Sequence, residues 1–180
     1  MRKTLRKRFW VWEFEKEEKW LDEMSAQGWA LDKVGWCRYE FVQCEPGEYI
    51  TRLEMLNEHV DTAKSKEYID FVESTGAEYI GHVIRWVYFR KKASEGSFDL
   101  YSDVDSRIRH LKRIITFLSI FLCLNALNTV NMVNLAANSA EWFSYIALAF
   151  VCAVTGLLIY GTAQLNNMKK RLEKERQLHE

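Results

Sequence analysis

The chain has 180 residues, with 25 Lys and Arg balanced by 25 Asp and Glu, so its formal net charge is zero. That balance argues against a protein working through a strong basic field, so nucleic acid is not an expected partner, and there is no acidic tail. Six of the seven Trp lie before residue 90, which concentrates the aromatic chemistry in the amino-terminal part.

The start is locally basic, with Arg2, Lys3, Arg6, Lys7 and Arg8. Phe9-Trp10-Val11-Trp12-Glu13 follows instead of an uninterrupted apolar stretch, so a signal peptide is not expected. Two readings of this arm are open: a segment lying against anionic headgroups, or a charged edge strand. The aromatic run Phe9 to Phe14 reads as a strand. Lys16-Glu17-Glu18-Lys19 reads as the wet face of a helix with i,i+3 pairs. On the same segment Trp20, Leu21 and Met24 fall at helical spacing and stop at Gly28, where a left-handed cap ends a helix. Trp29 to Val34 and Cys37 to Cys44 read as strands around a turn near Gly35, with Tyr39 and Phe41 alternating against Arg38 and Glu40.

After the Pro46-Gly47 turn, Tyr49 to Met55 alternates as a strand, and the helical pattern returns at Tyr68, Ile69 and Val72 before Gly76. Glu78 to Val83 and Arg85 to Lys91 complete this part as strands. Trp20 and Tyr68, Leu21 and Ile69, Met24 and Val72, and Gly28 and Gly76 are each 48 residues apart. Asp22 and Asp70 match at the same offset, on the outward face. The order strand–helix–strand–strand thus occurs twice, over about 5–45 and 48–92. The expected fold class is α+β: a duplicated domain over residues 1–92 with an antiparallel sheet and two helices on one face.

Ala93 to Asp99 reads as a linker, and Ser102-Asp103 as the cap of a helix from Val104; together they make a linker and juxtamembrane segment over 93–112. Two apolar runs follow, Ile114 to Leu135 and Trp142 to Ala163, without Asp, Glu, Lys or Arg inside either. At about 1.5 Å per residue each reaches roughly the ~30 Å hydrocarbon thickness of a bilayer. Residues 113–163 therefore read as a transmembrane helical hairpin, and 164–180 as a basic helical tail, with Leu165, Met168 and Leu172 at helical spacing. Arg107, Arg109, Lys112 and Arg113 precede the hairpin; Lys169, Lys170, Arg171, Lys174 and Arg176 follow it, and the turn holds Glu141. Basic flanks stay inside, so the expectation is a multi-pass protein of the cell membrane with both termini cytoplasmic.

Asn125, Asn128, Asn131 and Asn134 recur every third residue in the first run and wind across about half the helix circumference, given ~100° per residue. Amides in hydrocarbon need partners, so they are candidates for helix association, together with the small residues Gly156, Gly161, Ala149, Ala153 and Ala163. A polar lining for a solute is the other reading. Cys37, Cys44, Cys123 and Cys152 make no CxxC pair or metal-ligand spacing, so reduced thiols and no metal are expected.

The blocks Phe14-Glu15-Lys16-Glu17-Glu18-Lys19-Trp20-Leu21-Asp22-Glu23-Met24, Gly28-Trp29-Ala30-Leu31, Glu45-Pro46-Gly47-Glu48-Tyr49-Ile50, Thr75-Gly76-Ala77-Glu78-Tyr79, Arg85-Trp86-Val87-Tyr88-Phe89-Arg90-Lys91-Lys92 and Leu100-Tyr101-Ser102-Asp103 resemble a bacterial domain-of-unknown-function family, number 2812. The resemblance covers most of the first 110 residues. It implies a Gram-positive membrane protein, often encoded beside a PadR-type transcriptional regulator, and implies no activity. At the level of topology, the doubled plan is similar to gyrase-inhibitor-like domains, which hold aromatic cations between rings and an acidic residue.

Two functions are expected ahead of others. One is a membrane-anchored, non-enzymatic regulatory or sensor protein whose cytosolic domain binds a small ligand or a protein partner. Its candidate ligand residues are Trp10, Trp12, Trp36, Tyr39, Glu40, Glu54, Trp86 and Tyr88: aromatic walls with a carboxylate suit a cation, although rings on strands also serve as core. The other is an accessory subunit of a larger membrane complex, docking through the hairpin. Partners are then the bilayer and either a second copy or another protein. No cofactor is expected. An enzyme is least favoured: His59, His82, His110 and His179 are scattered, and no phosphate loop or nucleophile elbow occurs.

Overall fold

The computed structural model describes residues 1–101, 103–138 and 141–179. The chain divides into two compact units, Met1–Ser102 and Asp103–Glu180.

In the first unit the order is β1 (Arg2–Arg6), α1 (Phe14–Ala26), β2 (Trp29–Gly35), β3 (Arg38–Gln43), then β4 (Tyr49–Met55), α2 (Ala63–Ser74), β5 (Glu78–Val83) and β6 (Trp86–Lys92). Each half builds its own three-stranded antiparallel sheet with its last strand in the middle, β1-β3-β2 and β4-β6-β5. The duplication reaches into irregularities. Register shifts fall between Leu31 and Lys33 and between Tyr79 and Gly81, again 48 residues apart. Both helices end at a left-handed glycine, Gly28 at φ 83° and Gly76 at φ 89°.

The class is the expected α+β, with the strands divided between two sheets. Leu21 and Met24 of α1 pack with Tyr39 and Phe41 of the first sheet, and with Leu53 and Tyr88 of the second. Ile69 and Val72 of α2 pack with Val87 and Phe89. Alternate residues of β6 therefore serve different cores: Val87 and Phe89 face α2, and Tyr88 faces the first repeat. The second sheet is covered on both faces, so the two helices do not share one side of it.

Phe9 to Phe14 does not form the expected strand. The first strand is Arg2–Arg6, the charged edge strand, and Val11–Glu13 is a 3-10 turn leading into α1. Glu13 closes that turn from both ends: its carboxylate accepts the Trp10 N–H at 3.2 Å, and its own N–H donates to the Trp10 carbonyl at 2.7 Å. The expected linker also folds onto the body. The Ala93 N–H donates to the Glu48 carbonyl at 2.8 Å, and Phe98 is buried in the α2 core with Leu100 against it.

The second unit is a hairpin of α3 (Val104–Asn138) and α4 (Trp142–His179), both long and apolar enough to cross a membrane. The Asp103 carboxylate accepts the Ser106 N–H and caps α3; Ser102, expected to share that cap, lies outside the described residues. Ile114, Leu118 and Ala136 are buried along one stripe of α3, as are Ser144, Val151 and Leu165 along α4. Beyond the apolar runs the helices stay joined, with Arg176 Nη1 2.9 Å from Asp105 Oδ1.

Candidate functional site

The candidate site is the place where the two repeats meet. Phe14, Glu17, Leu21 and Met24 form a 3-4-3 stripe of α1, so a carboxylate occupies a position that helix periodicity assigns to the core. Glu17 is only 7% exposed. Its Oε1 accepts the hydroxyls of Tyr39 on β3 and Tyr88 on β6, each at 2.7 Å. Burial raises the Glu17 carboxyl above its ordinary value, against the two phenol bonds that lower it. Burial, followed by the Glu17 charge, likewise pushes both phenols up, so they stay protonated as donors. Aromatic rings flank this join: Trp20 meets Tyr39 edge-on at 5.0 Å, and Phe14 lies 5.8 Å from Trp86.

Of the residues singled out from sequence, Tyr39 and Tyr88 come together, and Trp86 packs at the margin of the same core. Trp10 stacks on buried Trp12 with ring centroids 5.3 Å apart and planes 3° from parallel, and Arg8 lies over Trp10 at 4.9 Å. Trp36 stands apart, 75% exposed in the turn before β3. The two carboxylates proposed from sequence lie elsewhere. Glu40 pairs with Arg38 at 2.8 Å on the sheet surface, because residues two apart on a strand share a face. Glu54 is buried on the α2 side, where the Tyr68 hydroxyl donates to it. The acid between rings is Glu17, which the charge run Lys16-Glu17-Glu18-Lys19 disguised as wet surface. Lys16 and Lys19 stay exposed, Lys16 pairing with Glu13 at 2.8 Å.

A second set of α1 side chains covers the free edge of β4. The N–H groups of Tyr49, Thr51 and Leu53 point away from β6 and donate to Ser25 Oγ at 3.1 Å, Asp22 Oδ1 at 2.8 Å and Glu18 Oε1 at 2.8 Å. Asp22 also accepts from Arg52 Nη1 at 2.8 Å, so it faces the sheet edge and not solvent as its polarity suggested. Its repeat counterpart Asp70 is exposed. Burial raises the Glu18 carboxyl to about 7, ahead of the lowering by the Leu53 N–H and the Arg52 charge. Across the face of the first sheet, Lys3 of β1 lies over Trp29 of β2 at 5.4 Å, and Lys7, just past β1, lies over Trp20 of α1 at 4.4 Å.

In the hairpin, Asn125 Nδ2 donates to Thr155 Oγ1 at 3.1 Å, with Thr129 Oγ1 3.3 Å from the same hydroxyl. Asn128, Asn131 and Asn134 are exposed on α3, and Gly156 of α4 has open space beside it. The four asparagines are thus divided between the inside of the hairpin and its outside.

The profile of a family described as a protein of unknown function (DUF2812) matches residues 13–123, and the chain belongs to that family. No curated protein and no solved structure matches the chain.

Proposed function

We propose that this DUF2812 member is a membrane-anchored, non-enzymatic regulatory or sensor protein whose amino-terminal domain binds a small cationic ligand or a protein partner. The observation that carries this reading is the Tyr39–Glu17–Tyr88 join between the repeats. A cation drawn to Glu17 competes with the phenols for the same oxygen, so binding changes how the halves are held together. The surrounding rings offer faces for such a cation.

Anchoring is supported by the two apolar helices and by the basic residues that flank them on the side of both chain ends, which favours cytoplasmic termini. The test is titration of the full chain in lipid nanodiscs with a panel of cationic amphiphiles, read by Trp fluorescence. A saturable change lost in Glu17→Gln supports the reading; no saturable change with any of them removes the ligand arm. Extraction of membranes at alkaline pH tests the anchor, and the reading fails if the chain is released without detergent.

A second reading, an accessory subunit docking through the hairpin, is favoured by the outward amides of Asn128 and Asn131. Affinity purification from membranes distinguishes it: a stoichiometric integral-membrane protein accompanies an accessory subunit.

A further inference from the structure

On the proposed anchoring, the outer surface of α3 has an uneven chemistry. Phe117, Phe121, Leu124, Asn128, Asn131 and Leu135 follow one another at spacings of four, three, four, three and four. That is the seam of a left-handed helix pair. It lies one residue behind the stripe that faces α4, hence about 100° around the helix, and its middle stretch from Phe121 to Asn131 is left exposed beside α4. Phe121 and Leu124 are 48% and 60% exposed, and Asn128 and Asn131 are exposed too. Asn125 finds Thr155 inside the hairpin, whereas the side chains of Asn128 and Asn131 have no polar partner among the described residues.

Asn128 sits about 5 Å from the middle of the apolar run and Asn131 about 10 Å, at 1.5 Å per residue. Two unpaired amides at that depth face hydrocarbon, which offers them neither donor nor acceptor. We propose that the partner is a second copy of this chain, with α3 packed against α3 in parallel about a two-fold axis along the membrane normal. The argument is self-complementarity. In a parallel symmetric pair each seam position meets itself, and an amide carries both donors and an acceptor, so Asn128 satisfies Asn128 and Asn131 satisfies Asn131. Adjacent asparagines in an otherwise apolar seam also fix the register, because a slip of one heptad sets both amides of one copy against Phe121 and Leu124 of the other.

The test uses the full chain in phosphatidylcholine vesicles, with Cys123→Ser and Cys152→Ser as background. Leu124→Cys, on the seam, is expected to form a disulfide-linked homodimer on oxidation, and Ala126→Cys, off the seam, is not. In the native chain, Asn128→Leu with Asn131→Leu is expected to weaken dimerisation by about tenfold or more, and Asn125→Leu is expected to spare it. The seam assignment is overturned if Ala126→Cys links as readily as Leu124→Cys, if Leu124→Cys forms no disulfide-linked homodimer, or if the double Asn variant dimerises undiminished. A wild-type chain that is membrane-embedded yet monomeric overturns the seam alone. A chain that leaves the vesicles without detergent overturns the anchoring and the seam together.

Discussion

Tyr39 and Tyr88, from different repeats and different sheets, donate their hydroxyls to one and the same oxygen, Oε1 of Glu17, at 2.7 Å each. A single carboxylate thereby replaces the separate solvation of three polar groups inside an aromatic core. Such a centre is sensitive to loss of one member, because the remaining groups are left buried without partners.

Replacing Glu17 tests that dependence directly. Glu17→Ala strands both phenols and is expected to cost about 2–4 kcal/mol, whereas Glu17→Gln keeps an acceptor and is expected to cost about 1 kcal/mol. Tyr88→Phe removes one bond and is expected to fall near 1 kcal/mol. Urea unfolding followed by Trp fluorescence ranks the three variants. Equal losses for Ala and Gln contradict a hydrogen-bonded role for the carboxylate.

The edge of β4 gives a paired comparison. Asp22→Ala frees the Thr51 N–H and the Arg52 guanidinium, with an expected loss of about 1–3 kcal/mol and faster hydrogen exchange at Thr51. The same change at exposed Asp70 is expected to stay within about 0.5 kcal/mol. The contrast tests the inequality of the repeats, since their sequences place Asp at matching positions.

Stability carries a pH signature from Glu18. Its carboxyl rises from 4.5 to about 7 on folding, so between those values the folded chain holds more protons than the unfolded one. The contribution of this group is therefore fully present below the unfolded value and is lost as pH rises through about 7. Glu17 is shifted in the same direction and adds with the same sign. Relative to wild type, Glu18→Gln is expected to gain stability between about pH 5 and pH 8. A gap independent of pH refutes the shifted carboxyl.

Two turn glycines separate backbone strain from crowding. Gly28 and Gly47 both have positive φ, 83° and 74°, but a Cβ on Gly28 meets the Cys44 carbonyl oxygen at 3.2 Å, and one on Gly47 meets nothing within 4 Å. Gly47→Ala is expected to cost about 1 kcal/mol for the left-handed backbone alone. Gly28→Ala adds the displacement of β3's end and is expected to cost roughly 1 kcal/mol more. Thermal unfolding of the two variants checks the order.

The duplication, the helix ends and the apolar hairpin were legible because each is a local periodicity or a fixed offset. Gly28 and Gly76 announce their caps, and Trp142 to Ala163 needs only its length. Glu17 was hidden because its neighbours Lys16, Glu18 and Lys19 make a convincing wet surface, although its 3-4-3 spacing with Phe14, Leu21 and Met24 carried the contrary signal. Asp22 and Glu18 were unreadable for a different reason: their partners on β4 lie about thirty residues away, and nothing local states that β4's edge runs along α1. Phe9 to Phe14 misled because aromatic content argues for a strand, while the reciprocal bonds of Glu13 and Trp10 close a turn.

Because α3 is unbroken from Val104 to Asn138, it behaves as a shaft with a defined phase. Adding one residue ahead of Ile114 turns the stretch of α3 before it, 104–113, by about 100° against the stretch after it and shifts it by about 1.5 Å, while adding seven nearly restores the azimuth at the expense of about 10 Å of length. Azimuth and length along α3 are thus separately adjustable.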